Sequence, residues 1–229
     1  MNYDNQFEQV NNLTWFPWVG TDYASASRQI LIVGESHYIN EDTRKEAFAR
    51  EAQIRENREH TRLCLSEVLI DKSWYNPTYP NLMEALCDRG VVPENKEALD
   101  KIAYYNFIQR QLNYTDGEQK PNTEDYQVAW TCFIDIVKIL RPTDCVFLGV
   151  RSETGFGAMM NALNIEHSII DLLEQVNGAY PRKATITLED GFSLTMYFIK
   201  HPSMYFSAQK WHDFLKEHTP ELIDCINGK

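Results

Sequence analysis

The sequence predicts an α/β protein, a three-layer α/β/α sandwich around a central, mainly parallel four-stranded sheet. Short, apolar, β-branched runs that end at Gly indicate strands buried on both faces, as in a parallel sheet. Segments with helical periodicity lie between these runs, and the order helix, short loop, apolar strand is typical of α/β folds. With 229 residues, we expect the chain to form one domain over 1–229.

The composition excludes several classes of protein. With 43% hydrophobic, 24% charged and 12% aromatic residues, the chain is neither disordered nor collagen-like nor a coiled coil. No apolar run approaches the ~20 residues of a membrane span. The first residues lack the basic and apolar regions of a signal peptide. We therefore expect a cytoplasmic protein that does not contact a membrane.

Net charge and cysteine content bear on nucleic-acid binding, disulfide bonds and metal cofactors. The net charge of −11 argues against a broad basic surface for nucleic acid, although it leaves room for a local positive cleft. Five cysteines stand far apart, at positions 64, 87, 132, 145 and 225. An odd number without a C-x-x-C pair argues against disulfides, a zinc site or an iron–sulfur cluster. We expect reduced, mostly buried thiols, and neither a metal nor an organic cofactor.

The first elements along the chain differ in character. An aromatic cluster at 15–18 is expected to pack residues 1–27 onto the body as an N-terminal extension. The run 29–34 predicts the first strand, and 35–40 the loop after it. Residues 43–70 are mostly charged with an apolar minority, which predicts a solvated helix with one buried face.

The remaining elements alternate between helix and strand. They are a helical segment at 82–87, a strand at 101–105, a polar turn at 118–123, a helix at 124–140, a strand at 145–149, a helix at 155–163, strands at 184–188 and 193–199, and a final helix containing Trp211. The turn at 189–191 is expected to pair the last two strands.

Polar side chains follow three of the predicted strands. These are Glu35 to Tyr38 after the first strand, Asn106 after the second, and His201 to Ser203 after the last. In open α/β sheets, ligands bind outside the carboxyl ends of the strands. If these strands are parallel neighbours, the three loops converge on one cleft.

In order and spacing, these motifs resemble the uracil-DNA glycosylase superfamily over roughly residues 28–218. Gly34-Glu35-Ser36-His37-Tyr38 is similar to the family's water-activating loop, Gly-Gln-Asp-Pro-Tyr. Tyr105-Asn106-Phe107 looks like the segment that carries the family's base-reading Asn. The apolar strand before His201-Pro202-Ser203 resembles the family's His-Pro-Ser element. The cysteines do not match the iron–sulfur branch.

The resemblance implies a DNA repair enzyme that flips uracil or another deaminated base and hydrolyses its N-glycosidic bond. Glu35, Ser36 and His201 would then be catalytic, with His201 stabilising the departing base. The base-binding residues would be Tyr38, Asn106 and His37. DNA contacts would come from Pro202, Ser203, Met204, Tyr205 and Ser207. The partner would be single- or double-stranded DNA, bound by a monomer.

Two departures from the family pattern leave other functions open. Ser36 stands where the family has Asp or Asn and cannot act as a carboxylate base, and His37 replaces the family's Pro. One alternative is therefore an inactive relative that binds a nucleotide, nucleic acid or protein. A further alternative is a hydrolase, because Gly34-Glu35-Ser36-His37 resembles the Gly-Glu-x-His loop of erythromycin-esterase-like enzymes.

Overall fold

The architecture is a mixed sheet covered by helices on both faces. A computed structural model describes residues 3–39, 44–88, 95–113 and 120–229. In these ranges the α-helices are α1 (Asp4–Phe7), α2 (Arg44–Glu56), α3 (His60–Leu69), α4 (Thr78–Leu86), α5 (Asn95–Asp100), α6 (Thr123–Leu140), α7 (Phe156–Ala162), α8 (Ala208–His218) and α9 (Pro220–Ile226). The strands are β1 (Trp18–Val19), β2 (Ile30–Gly34), β3 (Tyr38–Ile39), β4 (Ile102–Asn106), β5 (Leu112–Asn113), β6 (Asp144–Leu148), β7 (Glu166–His167), β8 (Asp171–Leu172), β9 (Arg182–Thr187) and β10 (Ser193–Ile199).

The main sheet has eight strands in the described residues, with the order β1-β4-β2-β6-β10-β9-β7 and with β8 also pairing with β9. The central strands β4, β2, β6 and β10 run parallel to one another. The other pairs described in this sheet are antiparallel, and β3 and β5 form a separate two-stranded parallel sheet. The α/β class is thus confirmed, but the prediction of a four-stranded, mainly parallel sheet is wrong. Strands β1, β7 and β8 have two residues each, too few to show an alternating pattern in the sequence.

Both faces of the sheet are buried, which explains the continuous apolar runs of its central strands. Leu31 and Val33 point into a cluster with apolar residues of α1, α6 and α7. Ile30 and Ile32 point into a second cluster with α3, α4, α8 and α9. The alternation along β2 therefore divides the core between two helical layers.

The segment predicted as one helix at 43–70 forms two helices instead. The chain leaves α2 at Glu56 and enters α3 at His60. Between them, the Asn57 side chain accepts a hydrogen bond from the Glu59 backbone N–H at 3.1 Å. Such a local bond favours a turn over continued helix. Residues 40–43 and 118–119 of the predicted segments lie outside the described residues.

Helix α6 begins one residue before the predicted 124–140 and ends as predicted. Its N-cap Asn122 forms a reciprocal capping box with Asp125. Arg141 closes the helix in the left-handed conformation, at φ 51°. The hairpin of β9 and β10 also forms, with the two strands antiparallel.

The N-terminal segment is tied into the body at several points. Trp15 and Phe16 are buried, and β1 extends the sheet by pairing with β4. The Trp15 backbone N–H donates to Gln109 Oε1 at 3.0 Å, and Gln109 Nε2 donates to the Asn106 carbonyl at 2.5 Å. Gln109 thus connects the N-terminal segment to Asn106, one of the predicted site residues.

The cysteines are unpaired thiols, and Cys87 alone among the five is half-buried rather than buried. In the described part of the chain, no helix has the length and apolar character needed to cross a bilayer.

Candidate functional site

A cleft of about 810 Å³ opens at the carboxyl ends of β2, β4 and β10. The predicted site residues that line it are Glu35, Ser36, His37, Tyr38, Asn106, His201 and Ser203. The three strand-end loops meet because β2, β4 and β10 run parallel in the centre of the sheet and end at the same edge. Pro202, Met204, Tyr205 and Ser207 are outside the cleft lining.

The loop after β2 is held against the loop after β4 by main-chain hydrogen bonds. The carbonyls of Gly34, Glu35 and His37 accept from the N–H groups of Phe107, Ile108 and Leu112 at 2.8–2.9 Å. Because these bonds fix the backbone, the side chains of the loop enter the cleft from defined positions.

Gly34 is required by the closeness of two side chains. A Cβ at this position would lie 2.2 Å from the Tyr104 hydroxyl oxygen and 2.3 Å from Asn106 Oδ1. Both distances are far below van der Waals contact, so any other residue at position 34 would displace the site.

Ser36 is engaged with the protein backbone. Its hydroxyl donates to the Arg110 carbonyl at 2.5 Å. The Arg110 guanidinium in turn donates to both carboxylate oxygens of Asp125 at 2.6 Å. The Ser36 side chain therefore serves to connect its loop to the N-terminus of α6.

His37 and Asn106 form a buried polar pair. His37 Nε2 lies 2.9 Å from Asn106 Nδ2 and 2.9 Å from Thr61 Oγ1. Asn106 Oδ1 accepts from the Tyr104 hydroxyl at 3.2 Å. Burial, reinforced by the nearby His60, holds the pKa of His37 well below its usual range, so the ring is neutral at pH 7. Both ends of the Asn106 amide are therefore satisfied within the protein.

A carboxylate and a second neutral imidazole share the cleft. The Tyr38 hydroxyl donates to the Glu35 carboxylate. Burial lowers the pKa of His201, and the negative charge of Glu35 acts in the opposite direction. The result is an anionic group, oriented by a phenol, near an imidazole that is uncharged at neutral pH.

The segment after β10 is fixed by three side chains. Asn81 Nδ2 donates to the Pro202 carbonyl at 3.0 Å. Lys200 Nζ donates to the carbonyls of Tyr205 and Asn177 at 2.9 and 3.2 Å. The Ser207 N–H donates to Asn177 Oδ1 at 2.7 Å. These bonds position a segment that has no regular secondary structure.

Two apolar side chains project from this segment into solvent. Met204 is 75% exposed and Tyr205 is 86% exposed. Tyr205 also has φ 58°, a left-handed conformation that costs free energy in a residue with a bulky side chain. The structure thus holds a strained, exposed aromatic residue next to Ser203, which lines the cleft.

Aromatic side chains form another wall of the cleft. Trp74, Tyr79 and Tyr104 line it, and the rings of Tyr79 and Tyr104 meet edge to face at 5.8 Å between centroids. Trp74 is partly exposed, and its indole N–H donates to Glu67 at 2.9 Å. A planar ligand in the cleft would therefore meet aromatic surface.

Two of the cleft residues that were not predicted from the sequence, His60 and Cys64, carry groups that can bind a metal. They lie one turn apart on α3, and Cys64 Sγ is 3.7 Å from His60 Nε2. The His37 and His60 rings are 4.4 Å apart between centroids. One ligand-type atom from each of His37, His60 and Cys64 falls within 4.8 Å of the others. The i, i+4 spacing of His60 and Cys64 was the available signal, because it places both on one helix face.

Environment changes the protonation of both residues. Burial, together with the charge of Arg50, lowers the pKa of His60 to about 4, against the opposing influence of Glu67. Burial and the charge of Glu67 raise the pKa of Cys64 to about 12. Without a ligand, this corner of the cleft therefore holds two neutral imidazoles and a protonated thiol.

The chain matches no family model, and no curated protein matches it.

Proposed function

We propose that the cleft accepts a nucleobase flipped out of DNA and that the protein hydrolyses its N-glycosidic bond. The observation that carries the proposal is the meeting of Glu35, Asn106 and His201, from three separate strand-end loops, in one cleft. These are the positions where the resemblance to the uracil-DNA glycosylase superfamily places water activation, base reading and stabilisation of the leaving base.

The chemistry follows from the two protonation states. The Glu35 carboxylate, held by Tyr38, would accept a proton from a water molecule as the water oxygen bonds to the sugar C1′. The C1′–N bond breaks, and its electron pair leaves with the base. A neutral His201 would donate a hydrogen bond to the base oxygen where this negative charge develops.

Recognition of the base would use the buried pair at the end of β4. The Asn106 amide offers one donor group and one acceptor, which suit a pyrimidine edge. It would exchange its bonds to His37 or Tyr104 for bonds to the base. Tyr38, which lines the same cleft, would limit the size of the base.

The exposed segment after His201 would contact the DNA backbone and stack. Ser203 lines the cleft and can donate to a phosphate. Tyr205 is exposed to solvent and can fill the gap left by the flipped base. The net charge of −11 predicts weak binding. We propose that one chain, in the cytoplasm and without a cofactor, carries out this reaction.

A nicking assay tests the proposal. Labelled oligonucleotides with one uracil, single-stranded or opposite G or A, are incubated with protein and then treated with alkali. We expect cleavage that is reduced roughly 10²–10³-fold by His201→Asn, the usual effect of removing one such donor. Glu35→Gln should reduce it as well. Glu174→Gln and His167→Gln, outside the cleft, serve as matched controls and should retain wild-type rates.

The second candidate is a protein that binds the same ligand without cleaving it. The full hydrogen bonding of Asn106 and the bond from Ser36 to the Arg110 carbonyl favour it, because neither group is poised for a substrate. An oligonucleotide that binds at low salt but stays intact in the assay would support this candidate and reject the glycosylase. The esterase alternative needs a base at Ser36, whereas its hydroxyl contacts are with the carbonyls of Arg110 and His37.

A further inference from the structure

We propose that His37, His60 and Cys64 form a binding site for a divalent transition-metal ion, with Zn²⁺ as the ion that best suits the donor set. The site would lie in the wall of the cleft where the loop after β2 meets α3. It goes beyond the proposed function, since nothing in the glycosylase chemistry above requires a metal.

The geometry of the donor atoms supports the proposal. Tetrahedral zinc with Zn–S of about 2.3 Å and Zn–N of about 2.0–2.1 Å places a sulfur and a nitrogen ligand about 3.6 Å apart. Cys64 Sγ and His60 Nε2 are 3.7 Å apart. The two distances that involve His37 are also within 4.8 Å, so all three donor atoms face one small volume.

The donor chemistry selects the kind of ion. Two imidazoles and one thiolate suit a borderline or soft metal such as Zn²⁺, and disfavour Mg²⁺ and Ca²⁺, which prefer oxygen ligands. A neutral imidazole has one lone pair, and that of His37 accepts from Asn106 Nδ2, so a metal bond to His37 would replace this hydrogen bond. Zinc would displace the thiol proton of Cys64, so binding releases a proton to solvent.

The surroundings hold the ligands in place. Thr61 Oγ1 lies 2.9 Å from His37 Nε2 and, as a hydroxyl, can accept a hydrogen bond from a metal-bound ring, whereas Asn106 Nδ2, a donor at 2.9 Å from the same nitrogen, cannot. The edge of Trp15 packs on the same ring at 4.7 Å between centroids, at an angle of 87°. Partners of this kind, outside the ligand shell, orient metal-binding histidines and raise affinity. Arg50 and Glu67 also line the cleft, and their charges act on His60 in opposite directions.

The number of ligands leaves one coordination position for the cleft. All three residues line it, so a tetrahedral ion would turn its fourth position toward bound water or ligand. Three protein ligands with an open position are typical of catalytic zinc, whereas structural zinc has four protein ligands.

Cobalt substitution tests the site without any assay of activity. Purified, chelator-treated protein is titrated with Co²⁺ and followed by absorption. We expect one Co²⁺ per chain, strong visible bands of tetrahedral cobalt, and a near-ultraviolet charge-transfer band from the thiolate. Zn²⁺ should displace the cobalt and abolish the bands.

Variants identify the ligands. Cys64→Ser should remove the charge-transfer band, and His60→Asn should weaken binding by more than the roughly 10–100-fold typical of a lost outer-shell partner. Cys87→Ser and His167→Gln are matched controls and should leave the spectrum unchanged. Weak octahedral bands, or a charge-transfer band that persists in Cys64→Ser, would overturn the proposal.

X-ray absorption at the zinc edge on the wild-type protein gives an answer that does not depend on variant folding. We expect one sulfur and two imidazoles in the first shell. A shell of oxygen ligands, or no retained zinc after desalting, would reject the site. Uracil release by the zinc-free protein is measured separately, so that loss of one proposal leaves the other intact.

Discussion

Asn106, the last residue of β4, places its amide nitrogen 2.9 Å from His37 Nε2, and so joins the ends of two adjacent parallel strands through buried side chains. This bond links the part of the cleft proposed to read a base to the part proposed to hold a metal. Changes at either residue should therefore be felt in both places.

Asn106→Ala should destabilise the protein by about 1–3 kcal/mol. It leaves His37 without its amide partner and the buried Tyr104 hydroxyl without its acceptor, and unsatisfied buried groups are costly. Urea denaturation measures the change. Asn161→Ala, at an exposed position of α7, is the control and should stay within about 0.5 kcal/mol. Equal stabilities for the two variants would contradict the proposed importance of the pair.

Gly34→Ala should disrupt the cleft. The added methyl group would overlap the Tyr104 hydroxyl and Asn106 Oδ1, so both side chains must move. We expect reduced stability together with loss of ligand or metal binding. Gly157→Ala is the matched control, because the nearest atom to its new Cβ, His167 Nε2, is 3.8 Å away. This control should be neutral or stabilising by up to ~1 kcal/mol, given the better helix propensity of Ala.

The free energy of unfolding should decrease as the pH is lowered from 6.5, in part because His201 is buried. Its folded-state pKa is lowered by burial, so below pH 6.5 the unfolded chain binds more protons at this position than the folded chain. The contribution of neutral His201 to the free energy of unfolding is complete above pH 6.5. It is lost as the pH falls through the folded-state pKa of His201. Urea denaturation at pH 7.5 and 5.5 should show a smaller difference for His201→Asn than for the wild type. An unchanged difference would exclude His201 as a source.

Asp125→Ala should weaken the start of α6 by about 1–2 kcal/mol. The substitution removes half of the capping box with Asn122 and the paired hydrogen bonds from Arg110. Since the Arg110 carbonyl accepts from Ser36, hydrogen exchange of the 35–38 loop should also accelerate. Asp135→Ala, on the same helix, removes an ion pair with the exposed Lys138 at 3.1 Å and should cost less stability.

Tyr205→Gly should separate a role in DNA from a role in folding. Because Tyr205 is exposed and has a positive φ, its replacement by Gly should leave stability equal or slightly higher. Uracil release from duplex DNA should fall, whereas release from single strands should change little. Ile169→Ala, which removes another exposed apolar side chain, should alter neither. Loss of both activities in Tyr205→Gly would contradict a wedge function.

The central strands of the sheet could be predicted from the sequence better than the edge strands. Strands β2, β4 and β6 were predicted because burial on both faces produces apolar runs. Strand β10 was predicted as a β-rich segment that pairs with the preceding one across a turn. The edge strands were missed, since two-residue strands owe their existence to a neighbouring strand and not to a pattern of their own. The break between α2 and α3 contains a side-chain hydrogen bond of Asn57 and backbone turn bonds, which helix propensity does not show.

The candidate site shows the same division. Residues at strand ends were predictable, because parallel strands bring their carboxyl ends to one edge. The side-chain partners of Asn106 were not, since His37 comes from the loop after β2, and Tyr104, two residues earlier on β4, was seen only as a residue of a buried strand. Cys64 was discounted because the cysteines were compared only with one another, whereas its partner one turn away is a histidine.

The cleft draws its walls from segments near both ends of the chain, and β10 must dock beside β6 before His201 can reach the loop after β2. Contacts so distant in sequence slow folding, because the closure of long loops costs entropy. A ligand that needs the assembled cleft therefore binds the native state more tightly than the unfolded chain. Its binding must then raise the melting temperature, by mass action and in proportion to the logarithm of its concentration. Thermal shift across a panel of bases, nucleosides and metal ions would thus let the protein itself report which of them it recognises.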